Sequence, residues 1–342
     1  MMHCNIVYAM TGTLMKAITH TRFGSPDVLH LDDVPMPLPR PNEVRVKVHA
    51  STVTSGDVKM RSFEDIPWTM ALLARPIFGF FKPKQPILGV EFAGEIDTVG
   101  KDVSSFTIGE KVFGITGMQS GTNAQFVCVP ADRAIVTMPE NQSFTDMAAI
   151  PFGALTAMHF LKVGKIKQGD HVLVYGASGA VGVAAIQVAK HFGATVTGVC
   201  STKNLELVES LGADHVIDYT QQDYLQSNQT YDILFDTVGK TTFGKAKRIL
   251  TPDGRYLQTV FAIRHLFQMG LANLLTQRKI VCTVSADGRD DLLAIKAMIE
   301  AGIYKPVIDR VYPLEEAAEA HRYVDDGHKV GSVVLTIAHK SY

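Results

Sequence analysis

A chain of 342 residues with 46% hydrophobic and 20% charged side chains is long for one core and ample for two, and its balance is that of neither a disordered nor a coiled-coil chain. The formal net charge of −1 comes without a long run of Lys or Arg, which argues against a nucleic-acid partner. The four cysteines, Cys4, Cys128, Cys200 and Cys282, form no C-x-x-C pair, so neither a zinc clip nor a redox dithiol is expected, and free thiols fit a reducing cytoplasm.

In chain order, residues 1–14 lack the basic start, apolar run and cleavage site of a secretory signal and read as an extension. From Lys16 to about Val129, short β-type runs such as Val44 to His49 and Gly89 to Val99 alternate with Pro- and Gly-rich turns, which predicts a small β-rich domain. Within it the apolar stretch Trp68 to Phe81 is broken by Arg75 and Pro76 and falls short of the ~20 residues of a membrane span. The wider segment 63–86 reads either as a wall of a substrate pocket or as a satellite core or subunit contact.

At Asp170 the pattern changes. His171 to Ala177, a helix from about Ala180 to Phe192 and Thr195 to Ser201 make strand, helix, strand, each strand nearly all apolar, as in a parallel sheet covered on both faces. Further strands are expected at His215 to Asp218, Asp232 to Asp236, Arg255 to Val260 and Ile280 to Val284, with a helix at Asn204 to Leu211. About six such strands are the complement of a doubly wound dinucleotide fold. The tail has helices around Leu292 to Ile299 and Leu314 to Val324 and a last strand at Gly331 to Ile337. The expected organisation is a β-rich domain of residues 15–138 and 287–342, with an α/β nucleotide domain of 139–286 inserted in it.

Between the first strand and helix of that insert stands Gly176-Ala177-Ser178-Gly179-Ala180-Val181-Gly182, a G-x-G-x-x-G pattern with Ala177 in place of its first glycine. Gly179 can admit a pyrophosphate close to the main chain, Gly182 can let helix and strand pack tightly, and the helix start offers amide donors and a positive dipole. A tight turn with no ligand is the plainer alternative. An acid ~20 residues later would bind a ribose 2′-hydroxyl. The second strand ends instead in Ser201, Thr202 and Lys203, hydroxyls and an ammonium suited to a 2′-phosphate, so NADPH is favoured over NADH.

These residues join a series of ordered pieces that resembles the medium-chain dehydrogenase/reductase superfamily. The pieces are Met15-Lys16-Ala17, Ala50-Ser51-Thr52-Val53 with Asp57, Leu88 to Gly94, Val99-Gly100, Gly109-Glu110-Lys111-Val112, Leu155-Thr156-Ala157, Leu211-Gly212-Ala213-Asp214, Ala320-His321 and Gly331 to Val334. The resemblance implies a GroES-like substrate domain, a Rossmann domain, an active site in the cleft between them and a homodimer joined through the last Rossmann strand. The positions at which zinc members hold their catalytic metal read Thr54, Val90 and Phe152, a poor ligand and two incapable ones, so no metal is expected.

The resemblance then points to reduction of a quinone or α,β-unsaturated carbonyl. Thr54, Ser55 and Lys59 are the candidate catalytic donors, although Ser55 reads equally as a turn serine. Asp57 reads as a structural residue of its loop. Thr156, Tyr219, Val238 and Thr259 are expected at the coenzyme together with the glycine loop, and Lys329 either reaches it or sits in solvent. A cofactor-binding sensor or a crystallin-like structural protein is the alternative class. An enoyl-thioester reductase is less favoured, because Val58 to Trp68 lacks the tyrosine such enzymes carry, and a simple alcohol dehydrogenase would need a metal or strong base.

Overall fold

A computed structural model describes residues 12–63, 75–76, 78–226, 229–285 and 288–339. Most of the expected extension, Cys4 and positions 64–74 and 77 of the apolar segment lie outside the described residues. The chain divides into two compact units, one running through Pro151 and resuming at Ile308, the other covering Phe152–Val307.

The first unit begins with the antiparallel pair β1 (Leu14–Thr19) and β2 (His30–Pro35). It continues with β3 (Glu43–Val53), β4 (Glu91–Val99), β5 (Lys111–Ile115), β6 (Phe126–Pro130) and β7 (Ile135–Thr137). In β3, Val44, Val46 and Val48 alternate inward, and the strand is then buried continuously from Ala50 to Val53. Such a change from half-buried to wholly buried is what a central strand shows when it gains cover on its second face.

The second unit holds β8 (His171–Tyr175), β9 (Thr195–Cys200), β10 (His215–Asp218), β11 (Tyr231–Asp236), β12 (Leu250–Gln258) and β13 (Lys279–Cys282). They form one parallel sheet in the order β10-β9-β8-β11-β12-β13, the doubly wound dinucleotide order. Val172, Leu173, Val174, Ile233, Leu234 and Phe235 are all fully buried, which is why these strands read as unbroken apolar runs. The chain returns to the first unit as β14 (Ile308–Pro313) and β15 (Ser332–Thr336), completing a sheet ordered β14-β15-β3-β4-β5-β7 with β6 alongside β3. The fold is therefore a GroES-like β domain and a Rossmann-type α/β domain.

The boundaries differ from those expected. The helix Phe144–Ala148 belongs with the first unit, where Ser332 Oγ donates to the Ala149 carbonyl at 2.9 Å. The helix Arg289–Glu300 belongs with the second, through the Lys162–Asp291 ion pair and bonds between Gln187 and the Lys305 main chain. Its stripe of Leu292, Ile295, Met298 and Ile299 announces a buried face, but a periodicity does not say which sheet that face will meet.

The first unit carries a buried ionic knot. Arg61, 2% exposed, donates from Nε to the Gly24 carbonyl at 3.0 Å and pairs with Asp325 at 2.8 Å. Its Nη1 lies 3.3 Å from His321 Nδ1, so His321 must be neutral with Nδ1 as acceptor. Burial, then Arg61 and His20, push the His321 pKa down to about 3. Because the unfolded imidazole takes a proton near its ordinary 6.5 and the folded one does not, stability contributed by a neutral His321 is complete above 6.5 and falls as pH drops toward 3. Urea midpoints should fall between neutral pH and pH about 5, and His321→Asn, which can accept from Arg61 without titrating, should flatten the slope; an equal slope in the variant would refute this origin.

Candidate functional site

In the second unit, the turn after β8 is made by Gly176 at φ 84°, a backbone state that favours glycine. Both Gly176 N and Ala177 N donate to the Val199 carbonyl, at 3.1 and 3.0 Å. The tight turn thus falls one residue before Ala177, which explains how alanine is tolerated there; its side chain is fully buried, against Gly198 of β9.

Gly182 and Gly179 are glycines for different reasons. A Cβ on Gly182 would lie 2.1 Å from the Gly176 carbonyl oxygen, inside the protein's own main chain. A Cβ on Gly179 would meet only that oxygen at 3.6 Å, an ordinary contact, and its φ of −77° suits any residue. What a side chain at 179 would obstruct is therefore the open side of the loop. There the helix Ala180–His191 starts with no side-chain cap, leaving first-turn amides of Ala180 and Val181 and the helix dipole for an anion. The loop fits a dinucleotide pyrophosphate.

Beside it, Ser201 precedes the short turn Thr202–Asn204, its carbonyl accepting from Asn204 N at 2.9 Å. Lys203 is exposed, and Tyr219, 53% exposed, is anchored by its N–H to the Cys200 carbonyl at 3.0 Å. Thr202, expected to be a phosphate donor, gives its hydroxyl proton to Asp218 Oδ2 at 2.5 Å. Asp218 and Asn204 were not singled out from the sequence. Asn204 Nδ2 donates to Ser178 Oγ at 2.9 Å and so ties the phosphate loop to the end of β9.

At the end of β11, the fully buried Asp236 accepts from the main-chain N–H groups of Val238, Gly239 and Thr241 at 3.1, 2.8 and 3.0 Å and from Tyr256 Oη at 3.2 Å. This sets Val238, 41% exposed, against Gly176. Thr259 is held by the Asp236 carbonyl. The glycine loop, Ser201 to Lys203, Tyr219, Val238 and Thr259 all follow C-terminal strand ends of one parallel sheet, where such folds bind ligands. Thr156 is buried on the helix Pro151–Val163, whose Gly153 packs against the Ala180 carbonyl at the start of the loop's helix.

In the first unit, Thr54 caps the helix Ser55–Ser62. Its hydroxyl donates to Asp57 Oδ2 at 2.6 Å and accepts from Asp57 N at 3.1 Å, while Gly89 N donates to Asp57 Oδ1 at 3.0 Å. Burial pushes the Asp57 pKa up, and the bonds from Thr54 and Gly89 oppose it. Asp57 is the loop organiser expected. Thr54 is 5% exposed and directs its hydroxyl proton at Asp57, so it serves the helix as a cap. Ser55 and Lys59 are exposed one helical turn apart on the same face.

Lys329 is part-buried, not solvated. Its Nζ donates to the Gly331 carbonyl at 2.6 Å, and burial brings its pKa down to about 8 against the opposing pull of Glu91 and Asp309. Val90 is 7% exposed, with its carbonyl taken by Thr116 N at 2.7 Å. Among the described residues no group of three or more His, Cys, Asp or Glu could hold a metal, and no helix is long and apolar enough to cross a membrane. The thiols of Cys128, Cys200 and Cys282 are pushed by burial up to about 12, 11 and 11, beyond the range of reactive cysteines.

Family models described as alcohol dehydrogenase GroES-like domain, alanine dehydrogenase/PNT C-terminal domain and zinc-binding dehydrogenase match residues 40–140, 145–251 and 211–335. The mitochondrial NAD(P)H oxidoreductase RTN4IP1 of Mus musculus is 32% identical, over 95% of this chain and 90% of its own. The 2-methylene-furan-3-one reductase of Solanum lycopersicum is 30% identical, over 94% and 79%. The solved quinone oxidoreductase from Coxiella burnetii superposes with a TM-score of 0.85 at 30% identity, over 95% of this chain and 100% of its own. With a doubly wound sheet, a pyrophosphate loop and these relatives, the chain belongs to the medium-chain dehydrogenase/reductase superfamily and is an oxidoreductase using a nicotinamide cofactor.

Proposed function

We propose that the chain is a zinc-independent, NADPH-dependent reductase of quinones or α,β-unsaturated carbonyls. The observation that carries this reading is the state of the superfamily's metal positions: Thr54 is spent on Asp57, and Val90 and Phe152 have no donor atom to offer. Two relatives are named for a quinone and for an enone, acceptors that need no strong Lewis acid because charge developing on hydride addition is delocalised onto oxygen.

When bound, the nicotinamide supplies the hydride. The protein holds its pyrophosphate on the loop from Ala177 to Gly182 and receives the 2′-phosphate with Ser201, Lys203 and Tyr219, while Val238, Thr259, Thr156 and Lys329 are assigned to the rest of the coenzyme site. Ser55 and Lys59 are the exposed donors of the β domain and take the part of hydrogen-bonding the acceptor oxygen. Much of the rate then comes from positioning.

We place the enzyme in the cytoplasm, where free thiols such as Cys128, Cys200 and Cys282 stay reduced. A homodimer is assigned to the β13 side of the second unit, where the helix Ile263–Leu275 exposes Phe267, Leu271, Leu274 and Leu275. Asn273 already bonds both main-chain groups of Ile280, so side chains rather than ladder bonds would make that contact.

The purified chain should oxidise NADPH with a benzoquinone or an enone, and a chelator should leave the rate unchanged; ethanol oxidation abolished by the chelator would overturn the reading. Gly179→Val should abolish coenzyme binding while lowering the thermal midpoint less than Gly182→Ala does, by the modest cost of a poorer N-cap. Gly182→Ala should lower both, by about 1–3 kcal/mol in stability for a side chain forced into packed backbone. Lys203→Glu should raise KM for NADPH at least about tenfold more than for NADH, since it exchanges attraction for repulsion at a phosphate dianion; equal effects would remove Lys203 from the site.

A further inference from the structure

We propose that Asp218 sets the coenzyme preference from the neighbouring strand, tempering the selectivity for NADPH that the end of β9 alone would give. The inference rests on the NADPH reading above. The end of β9 has no carboxylate of its own: after Cys200 come Ser201, Thr202 and Lys203. The sheet supplies one. β10 runs parallel to β9 with Asp218 opposite Cys200, and Tyr219 N is bonded to the Cys200 carbonyl at 3.0 Å, so the two strand ends sit side by side.

The carboxylate is built into place. Oδ2 accepts from Thr202 Oγ1 at 2.5 Å; Oδ1 accepts from Thr220 Oγ1 at 2.7 Å and Thr220 N at 2.9 Å; the two threonine hydroxyls lie 3.0 Å apart. The Thr202 bond foremost, and those from Thr220, hold its pKa below the usual carboxylate range, so it is charged at neutral pH. The Thr202 main chain also bonds the carboxylate, which is 8% exposed.

Two consequences follow at the adenosine ribose. A 2′-phosphate drawn to Lys203 meets a fixed negative charge on the adjacent strand, and the Thr202 hydroxyl that should donate to it is already donating to that charge. A plain 2′-hydroxyl carries no charge and meets no such repulsion from Asp218. Lys203 and Asp218 thus oppose one another, and the ratio of NADPH to NADH affinity reflects their balance.

The test is titration of the coenzymes' own fluorescence, which needs no acceptor and no turnover, on the wild type and on Asp218→Asn, Thr202→Val and Lys203→Glu. Asparagine is isosteric, accepts from Thr220 N and donates to Thr202, so the turn is retained. Asp218→Asn should raise the NADPH:NADH affinity ratio about three- to tenfold, the range for one charge on a strand beside a solvated dianion, with the gain shrinking as salt is added. Thr202→Val, which leaves the carboxylate without its hydroxyl partner, should move the ratio toward NADH. A purely structural role for Asp218 would weaken both coenzymes alike, and an unchanged ratio in both Asp218→Asn and Thr202→Val would overturn the inference. Lys203→Glu separates the two claims: if it alone shifts the ratio, the NADPH reading stands and Asp218 is excluded; if it too leaves the ratio unchanged, the reading of this strand end as the phosphate site fails.

Discussion

The structure of the second unit depends on one close approach, that of Gly182 in the helix Ala180–His191 to the carbonyl oxygen of Gly176 at the end of β8. Any side chain at 182 would hold the helix off the strand. With none, the helix N-terminus sits over the turn, Ala177 is driven inward against Gly198, and Val238 closes on Gly176 from the β11 side. Asn204 then spans from the end of β9 to Ser178, so the surface that would meet a pyrophosphate and the surface that would meet an adenosine ribose are joined by a side-chain bond as well as by the sheet. Binding a dinucleotide is a consequence of how tightly this helix is seated.

That arrangement was legible where it is local. Glycine spacing, an apolar strand before it and a helix after it all lie within one stretch of sequence, and the burial of β8 and β11 on both faces gave continuous runs that read as parallel strands. The capping box of Thr54 and Asp57 is equally present as T-x-x-D, a local pattern in which the threonine proton goes to the aspartate. What could not be read was lateral. Asp218 is 16 residues beyond Thr202 in the chain, and only the pairing of β10 with β9 brings their side chains together. The helix Arg289–Glu300 failed in the same way, since its apolar stripe was plain and its partner sheet was not.

Several buried polar groups among the described residues of the first unit are consumed internally. Thr52 donates to Glu91; Ser51 bonds the Glu91 carbonyl, Thr122 and Asn123; Asp57 serves Thr54 and Gly89. Satisfied groups of this kind fix a backbone but contribute little to ionising a substrate. A domain so constituted suits a reaction in which the acceptor must be oriented and its oxygen hydrogen-bonded, and suits poorly one in which an unactivated alcohol must lose a proton.

The helix Ser55–Ser62 shows how such orientation can be held. Its inward positions are Asp57 and Arg61, four residues apart, both almost wholly buried. Asp57 fastens the first turn to the cap at Thr54 and to the strand entry at Gly89. Arg61 fastens the last turn to Gly24 and, through Asp325 and His321, to the helix Ala317–Asp325. Charged residues occupy its most buried positions while Val58 and Met60 pack beside them on the core, so directional bonds act together with apolar contact and fix rotation about the helix axis as well as distance. Ser55 and Lys59 lie on the outward face that this fixes. Donors on a short helix pinned at both ends are better placed than donors on a loop, and that makes these two residues stronger candidates for the acceptor's oxygen than the buried threonine beside them.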